Sequence, residues 1–222
     1  MTSRAACFAL LFACRVHETA PAQPLPLPQH DVAKVEPSPQ VVAPGEHTQR
    51  DWVALGDEAF SQNHLVDAAR FYQEAIRQDS DASSYAFYKL GFIRWNQNDG
   101  AAALDSLLHA IRTADAHHDE KIARVARIDI VTVYAQYGRP NAAFNFFRAF
   151  SQKPFDTMAA LGAQYLAEGN WDAARATYAD LSMRDAPNAC AYHVRETAAV
   201  EAARGTPLPS DAELAARIAR CP

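Results

Sequence analysis

The feature of this sequence that most constrains its fold is a spacing of small and large residues that recurs along the chain. A large apolar residue is followed by leucine and glycine, then by an alanine, and then by a second large residue four positions later. Three copies keep this spacing: Trp52, Leu55, Gly56, Ala68 and Tyr72; Phe87, Leu90, Gly91, Ala103 and Leu107; and Met158, Leu161, Gly162, Ala174 and Tyr178. A less regular copy lies between the second and the third, with Val131 where a small residue is expected.

Sterics explain why these residue types recur together. Glycine and alanine let two helix axes approach closely, while large apolar residues fill the space between the helices. One helix pair cannot bury such a face alone, so several stacked pairs are expected. Alanine makes up about a fifth of the chain, against only 8 glycines, which also favours helix. The sequence therefore predicts an all-α domain of about four helix pairs, over residues 49–222.

The recurring spacing resembles that of the tetratricopeptide repeat (TPR), a pair of antiparallel helices of about 34 residues. The resemblance covers roughly residues 49–188. It implies an α-solenoid in which the first helix of each pair lines a concave groove. The anchor positions 56, 91, 131 and 162 are 35, 40 and 31 residues apart. The long step includes residues 116–120, where we expect a longer loop between repeats.

Residues 188–222 predict two helices that cap the open end of the stack. One helical run ends at Gly205, and Ser210 with Glu213 forms a capping box for the last helix. Cys190 and Cys221 are the only cysteines after Cys14. Export to an oxidising compartment favours a disulfide between them that pins the last helix. Two separate thiols are the alternative.

The start of the chain has features of an exported and tethered protein. Arg4 precedes an uncharged run that ends in Leu11-Phe12-Ala13-Cys14. This run resembles a bacterial lipobox and implies a signal peptide over residues 1–14, with lipidation of Cys14. Residues 15–48 contain 7 of the 13 prolines, which predicts an extended tether. The alternative is ordinary signal cleavage after Ala22, because Ala20-Pro21-Ala22 is a small-x-small pattern.

A stripe of aromatic residues predicts a partner-binding groove. On the first helix of the second repeat, Phe87, Leu90 and Ile93 supply a core face, so rings on the other side exceed what ordinary packing needs. Partly desolvated aromatic side chains are typical of binding hot spots. The predicted groove residues are Phe60, Tyr85, Tyr88, Phe92, Trp95 and Asn96. The alternative is that the third repeat or the proline-rich segment covers these rings.

The sequence carries no pattern that indicates an enzyme, a cofactor or a metal site. It lacks a glycine-rich phosphate loop, a G-x-S-x-G elbow and an H-E-x-x-H motif. His117 and His118 have no partner cluster at zinc-ligand spacing, so a solvated loop is the expectation. With 21 basic and 26 acidic residues, the net charge of −5 provides no attraction for nucleic-acid phosphates.

These features predict a non-enzymatic scaffold that is tethered to a bacterial envelope and binds a protein partner. Three stretches, Asn145-Phe146-Phe147-Arg148, 162–169 and 187–192, resemble the last repeats of envelope TPR proteins of myxobacteria, including lipoproteins of the gliding-motility machinery. That resemblance implies a multiprotein motility or secretion machine. An outer-membrane assembly or cell-wall coordination lipoprotein is the alternative. Residue 15 is arginine rather than the aspartate of an inner-membrane retention signal, which favours the periplasmic face of the outer membrane. The soluble periplasm is the alternative location.

Overall fold

The structure, a computed structural model, describes residues 48–78 and 83–222. The predicted signal peptide, Cys14 and all of the predicted tether except Thr48 lie outside the described residues. The described part is all-α and contains no strand, which confirms the predicted class. Its helices are α1 (Gln49–Ser61), α2 (Leu65–Arg77), α3 (Ser83–Asn96), α4 (Gly100–Ala116), α5 (Glu120–Tyr137), α6 (Ala143–Phe147), α7 (Pro154–Ala167), α8 (Trp171–Arg184), α9 (Ala189–Ala203) and α10 (Asp211–Ile218). None of these described helices has both the length and the apolar character that crossing a membrane requires.

Four connections between consecutive helices share one turn geometry. Each has three residues, and the middle residue has a left-handed backbone, with φ of 61° at Asn63, 60° at Asn98, 59° at His118 and 72° at Gly169. In each turn the next residue donates its N–H to a carbonyl five residues earlier, as Asp99 does to Arg94 at 2.9 Å. Glycine and asparagine adopt a left-handed backbone at the lowest cost. The turn reverses the chain, so the two helices that it joins pack side by side.

The same turns also begin the helix that follows them. In three of the four, the last turn residue accepts a hydrogen bond through its side chain from the N–H three residues later. These N-caps are Asp99, Asp119 and Asn170, whereas His64 holds the equivalent position without a side-chain cap. An N-cap satisfies one of the free N–H groups at a helix start. Local residues therefore specify both the turn and the start of the second helix.

The close helix contacts predicted at the recurring glycines are confirmed. A Cβ atom at Gly56 would lie 2.6 Å from the Tyr72 ring, and one at Gly162 would lie 2.6 Å from the Tyr178 ring. At Gly91 the nearest atoms, 2.9 Å away, belong to Leu107. The alanines at the corresponding later positions are fully buried; they are Ala68, Ala103, Ala143 and Ala174. Small residues thus lie where the helices of a pair approach most closely.

The longer loop expected at residues 116–120 is wrong. α4 ends at Ala116 and α5 begins at Glu120, and the connection between them is the shared three-residue turn. The extra residues lengthen the helices instead, since α4 has 17 residues and α5 has 18. The irregular part of this repeat comes later, where Pro140–Ala142 form a 3₁₀ turn and α6 has only 5 residues.

The buried apolar residues form two clusters that meet at α3. The smaller cluster joins α1, α2 and α3 around the fully buried Tyr72, and it includes Leu90. The larger cluster extends from α3 to α9 and includes Tyr88 and Phe92. Residues of α3 therefore contribute to both clusters, and this helix is covered on two sides.

The last two helices are linked covalently. α9 packs against α8, and α10 packs against α9. The predicted capping box of Ser210 and Glu213 begins α10 and is confirmed. Cys190 and Cys221 form a disulfide with their Cα atoms 5.8 Å apart, in agreement with the pairing expected from the sequence. α10 has one buried residue, Leu214, and its Arg217 pairs with Glu201 of α9 at 3.3 Å, so the disulfide adds a covalent link to a small contact.

Candidate partner-binding site

Two of the six predicted groove residues belong to the core, which corrects their assignment to a partner surface. Tyr88 and Phe92 are only 4% and 5% exposed. The Tyr88 hydroxyl donates a hydrogen bond to Oδ2 of the buried Asp129 on α5, at 2.8 Å. The Phe92 ring packs edge-on against the Tyr88 ring, with centroids 5.0 Å apart. These rings are covered because α5 packs over this side of α3, as the alternative interpretation of the sequence expected.

Trp95 and Asn96 lie at the end of α3 and are half-buried. Trp95 donates from Nε1 to Oε1 of Gln136 on α5, at 2.7 Å, and its ring centroid lies 5.8 Å from that of Phe92. Asn96 donates from Nδ2 to the Phe92 carbonyl oxygen, at 2.9 Å, within its own helix. Part of the Trp95 ring is therefore exposed beside α5, whereas the Asn96 amide stabilises the end of α3.

Phe60 and Tyr85 lie on the other flank of α3, together with two charged residues. Lys89 Nζ stands 4.0 Å from the centroid of the Phe60 ring and 5.6 Å from that of the Tyr85 ring. Asp57, on α1, lies 3.9 Å from Lys89 Nζ through its Oδ1 atom. Asp57, Phe60, Tyr85 and Lys89 are termed the α1–α3 cluster below. Its four side chains bring two ring faces, a cation and a carboxylate together at one surface.

Asp57 is the acceptor that organises this cluster. Its Oδ1 atom accepts a hydrogen bond from the Tyr85 hydroxyl at 2.8 Å and from the Tyr72 hydroxyl at 2.6 Å. The Asp57 side chain remains 43% exposed, while that of Lys89 is only 19% exposed. The carboxylate therefore joins three helices through one oxygen and still meets solvent.

Burial is the main cause of the pKa shifts around this surface. Desolvation lowers the pKa of Lys89, and the negative charge of Asp57 acts in the opposite direction. Desolvation, followed by the charge and the hydrogen bond of Asp57, raises the pKa of Tyr72 and of Tyr85. The pKa of Tyr88 is raised in the same way, by burial and then by Asp129. These hydroxyls are therefore protonated at neutral pH and act as hydrogen-bond donors.

Sequence reasoning did not identify Lys89 and Asp57 as members of the site. Lys89 lies four residues after Tyr85, so the two side chains share one face of α3. That spacing was the available signal for Lys89. Asp57 is three residues before Phe60 on α1, but its contacts with Tyr72 and Tyr85 arise from the packing of three helices. No pattern within one helix indicates such contacts.

The α1–α3 cluster offers both apolar and polar groups at one surface. Aromatic faces accept apolar and cationic groups, while the ammonium donates and the carboxylate accepts hydrogen bonds. Within residues 48–78 and 83–222, there is no group of three or more histidine, cysteine, aspartate or glutamate side chains placed to hold a metal ion.

No protein-family model and no curated protein sequence matches this chain. Its TPR resemblance therefore rests on residue spacing, and its function has to be argued from the site.

Proposed function

We propose that the chain is a non-enzymatic scaffold of the TPR type that holds a protein partner against the first helices of its helix pairs. The shared turn geometry and the glycine contacts at Gly56, Gly91 and Gly162 support a repeated helix pair. Repeats of this kind stack into solenoids with extended concave binding surfaces. In that arrangement α1, α3, α5 and α7 are the first helices, and α9 and α10 cap the stack.

The observation that carries the proposal is the partly exposed aromatic surface along α3. Phe60, Tyr85 and Trp95 are half-buried, and Lys89 lies between the first two. Partly desolvated aromatic anchors dominate the energy of protein interfaces, whereas fully exposed charges contribute little. A partner that covers these rings gains apolar burial without displacing a packed helix.

The proposal includes a place in the bacterial envelope. The lipobox-like run that ends at Cys14 and the proline-rich residues 15–48 support a lipid-anchored domain on the periplasmic face of the outer membrane. The disulfide between Cys190 and Cys221 fits an oxidising compartment. Cys14→Ser is expected to yield an unprocessed precursor or a soluble protein. Recovery of the wild type in the soluble periplasm, with Gln23 as its first residue, would instead establish cleavage after Ala22.

Partner capture from detergent-solubilised envelopes tests the binding function. The full-length wild type and the double variant Phe60→Ala/Trp95→Ala are compared with Phe87→Ala as a matched control. Phe87 is a half-buried residue on α3, as Trp95 is, but its ring stacks on His109 of α4, with centroids 5.2 Å apart. We expect the wild type and the control to retain one set of proteins that the double variant loses, while all three keep their helical circular dichroism signal.

Equal capture by the double variant would contradict the proposed surface. The identity of the retained proteins separates a motility or secretion machine from outer-membrane assembly or cell-wall coordination, because these processes use different components.

A further inference from the structure

Lys89 is partly buried, and its ammonium group can still donate hydrogen bonds. Its side chain is 19% exposed, and its Nζ atom lies 3.9 Å from Asp57 Oδ1, beyond hydrogen-bonding distance. Within the part of the chain that the structure describes, no acceptor is hydrogen-bonded to this ammonium group. The rings of Phe60 and Tyr85 attract the cation but accept no conventional hydrogen bond. The ammonium therefore keeps hydrogen-bonding capacity that no described protein group uses, at a place that still meets solvent.

Asp57, at the same surface, has a carboxylate oxygen that can still accept a hydrogen bond. Its Oδ1 atom accepts from Tyr72 and Tyr85 and is the atom nearest to Lys89. Its Oδ2 atom accepts no hydrogen bond from residues 48–78 or 83–222, and the side chain is 43% exposed. Lys89 Nζ, which can still donate a hydrogen bond, therefore lies beside the Asp57 carboxylate, whose Oδ2 atom can still accept one.

We infer that Lys89 and Asp57 bind the backbone of an extended, uncharged segment of the partner, an inference that rests on the proposed function. Nζ donates to a carbonyl oxygen of the segment, and Oδ2 accepts from the N–H of the same residue. In an extended chain these two groups point to the same side, as they do between antiparallel strands. Apolar side chains of the segment, on either side of that residue, pack on Phe60 and Tyr85.

The charges of the cluster disfavour an acidic segment at this position. Asp57 and Lys89 already neutralise each other at a separation of 3.9 Å. A second carboxylate would leave an excess negative charge in a partly desolvated place, which is costly. A backbone carbonyl satisfies the ammonium without adding charge, so the occupant is a neutral main-chain group.

The first test uses a phage-displayed library of random peptides, selected on the immobilised full-length chain. Enriched peptides are synthesised with amidated C-termini, and their Kd is measured by calorimetry on the wild type, Lys89→Met and Lys153→Met. Lys153 is an exposed lysine at the start of α7 and serves as the matched control. We expect Lys89→Met to weaken binding about 10-fold or more, because a hydrogen bond to a charged group is lost, and Lys153→Met to leave it unchanged.

The second test locates the N–H that Asp57 accepts. Each peptide N–H is replaced in turn by an ester oxygen, and one position is expected to lose about 10-fold in affinity for the wild type. The same ester is expected to cause no further loss in Asp57→Asn. That variant keeps an oxygen for the two tyrosines and replaces the oxygen that faces the partner with a donor.

Three results with the selected peptides would overturn the inference, and a fourth concerns the library itself. They are peptides that bind Lys89→Met as tightly as the wild type, an ester scan without a sensitive position, and peptides whose binding requires an Asp or Glu carboxylate. A library that yields no binder also overturns it, because the inference requires an extended segment. In each case the capture experiment still tests the proposed function separately.

Discussion

Replacing Tyr88 by phenylalanine measures how firmly α5 covers α3. The substitution removes only a hydroxyl, which donates at 2.8 Å to Asp129, a carboxylate that is 6% exposed. The ring and its contact with Phe92 remain. A buried hydrogen bond to a charged group contributes about 1.5–3 kcal/mol. We therefore expect Tyr88→Phe to lower the free energy of unfolding by about 2 kcal/mol, and the Tm by roughly 4–8 °C for a chain of this size.

Urea denaturation followed by circular dichroism gives this free energy, and Tyr137→Phe is the control. The Tyr137 side chain is 39% exposed, and its hydroxyl donates to Asn98 Oδ1 over 3.4 Å. Its loss is expected to change stability by no more than about 0.5 kcal/mol. If both variants unfold at the wild-type urea midpoint, Tyr88 is not buried against Asp129. In that case it belongs to the partner surface, as the aromatic stripe alone would suggest.

Three further predictions concern helix contacts, the disulfide and alkaline pH. Gly91→Leu is expected to lower the free energy of unfolding by about 1–3 kcal/mol, because a Cβ there would lie 2.9 Å from Leu107. An unchanged urea midpoint would refute the close contact. Cys190→Ser/Cys221→Ser should lower the free energy of unfolding by about 3–4 kcal/mol, since the two cysteines are 31 residues apart in the sequence. Reductant should destabilise the wild type but not this variant. Burial raises the pKa of Tyr165 and of Tyr178 to about 12, above the ordinary value of 10.0. The fold binds these two protons more tightly than the unfolded chain does, so the free energy of unfolding is highest below pH 10. Between pH 10 and pH 12 it is expected to fall by about 1.4 kcal/mol per pH unit for each tyrosine. A urea midpoint that stays constant across this range would contradict the burial.

The helix pairs were predictable because their determinants are local. The glycine and alanine positions follow directly from how closely two helices can pack, and Gly56 and Ala68 lie where that rule expects them. Ser210 and Glu213 form a capping box through residues only three positions apart. Features encoded within one helix or one turn were therefore accessible from the sequence.

The covering of α3 was not predictable in the same way. Tyr88 and Phe92 lie on a helix that has apolar residues on several sides, so its sequence does not show which sides neighbouring helices cover. The step from Gly91 to Val131 fits a longer loop and longer helices equally well. The structure has longer helices because Asp119 caps α5 directly after the turn at His118.

A hydrogen bond from a tyrosine to an aspartate lies on each flank of α3, but only one of the two is buried. On one flank Tyr88 donates to Asp129, and both side chains are buried beneath α5. On the other flank Tyr85 donates to Asp57, whose side chain stays 43% exposed beside Lys89. A partner that reaches Tyr88 must displace a packed helix and lose buried apolar contacts, which is costly. A partner that binds the second flank displaces only solvent, so we expect binding to depend on Lys89 and stability to depend on Tyr88.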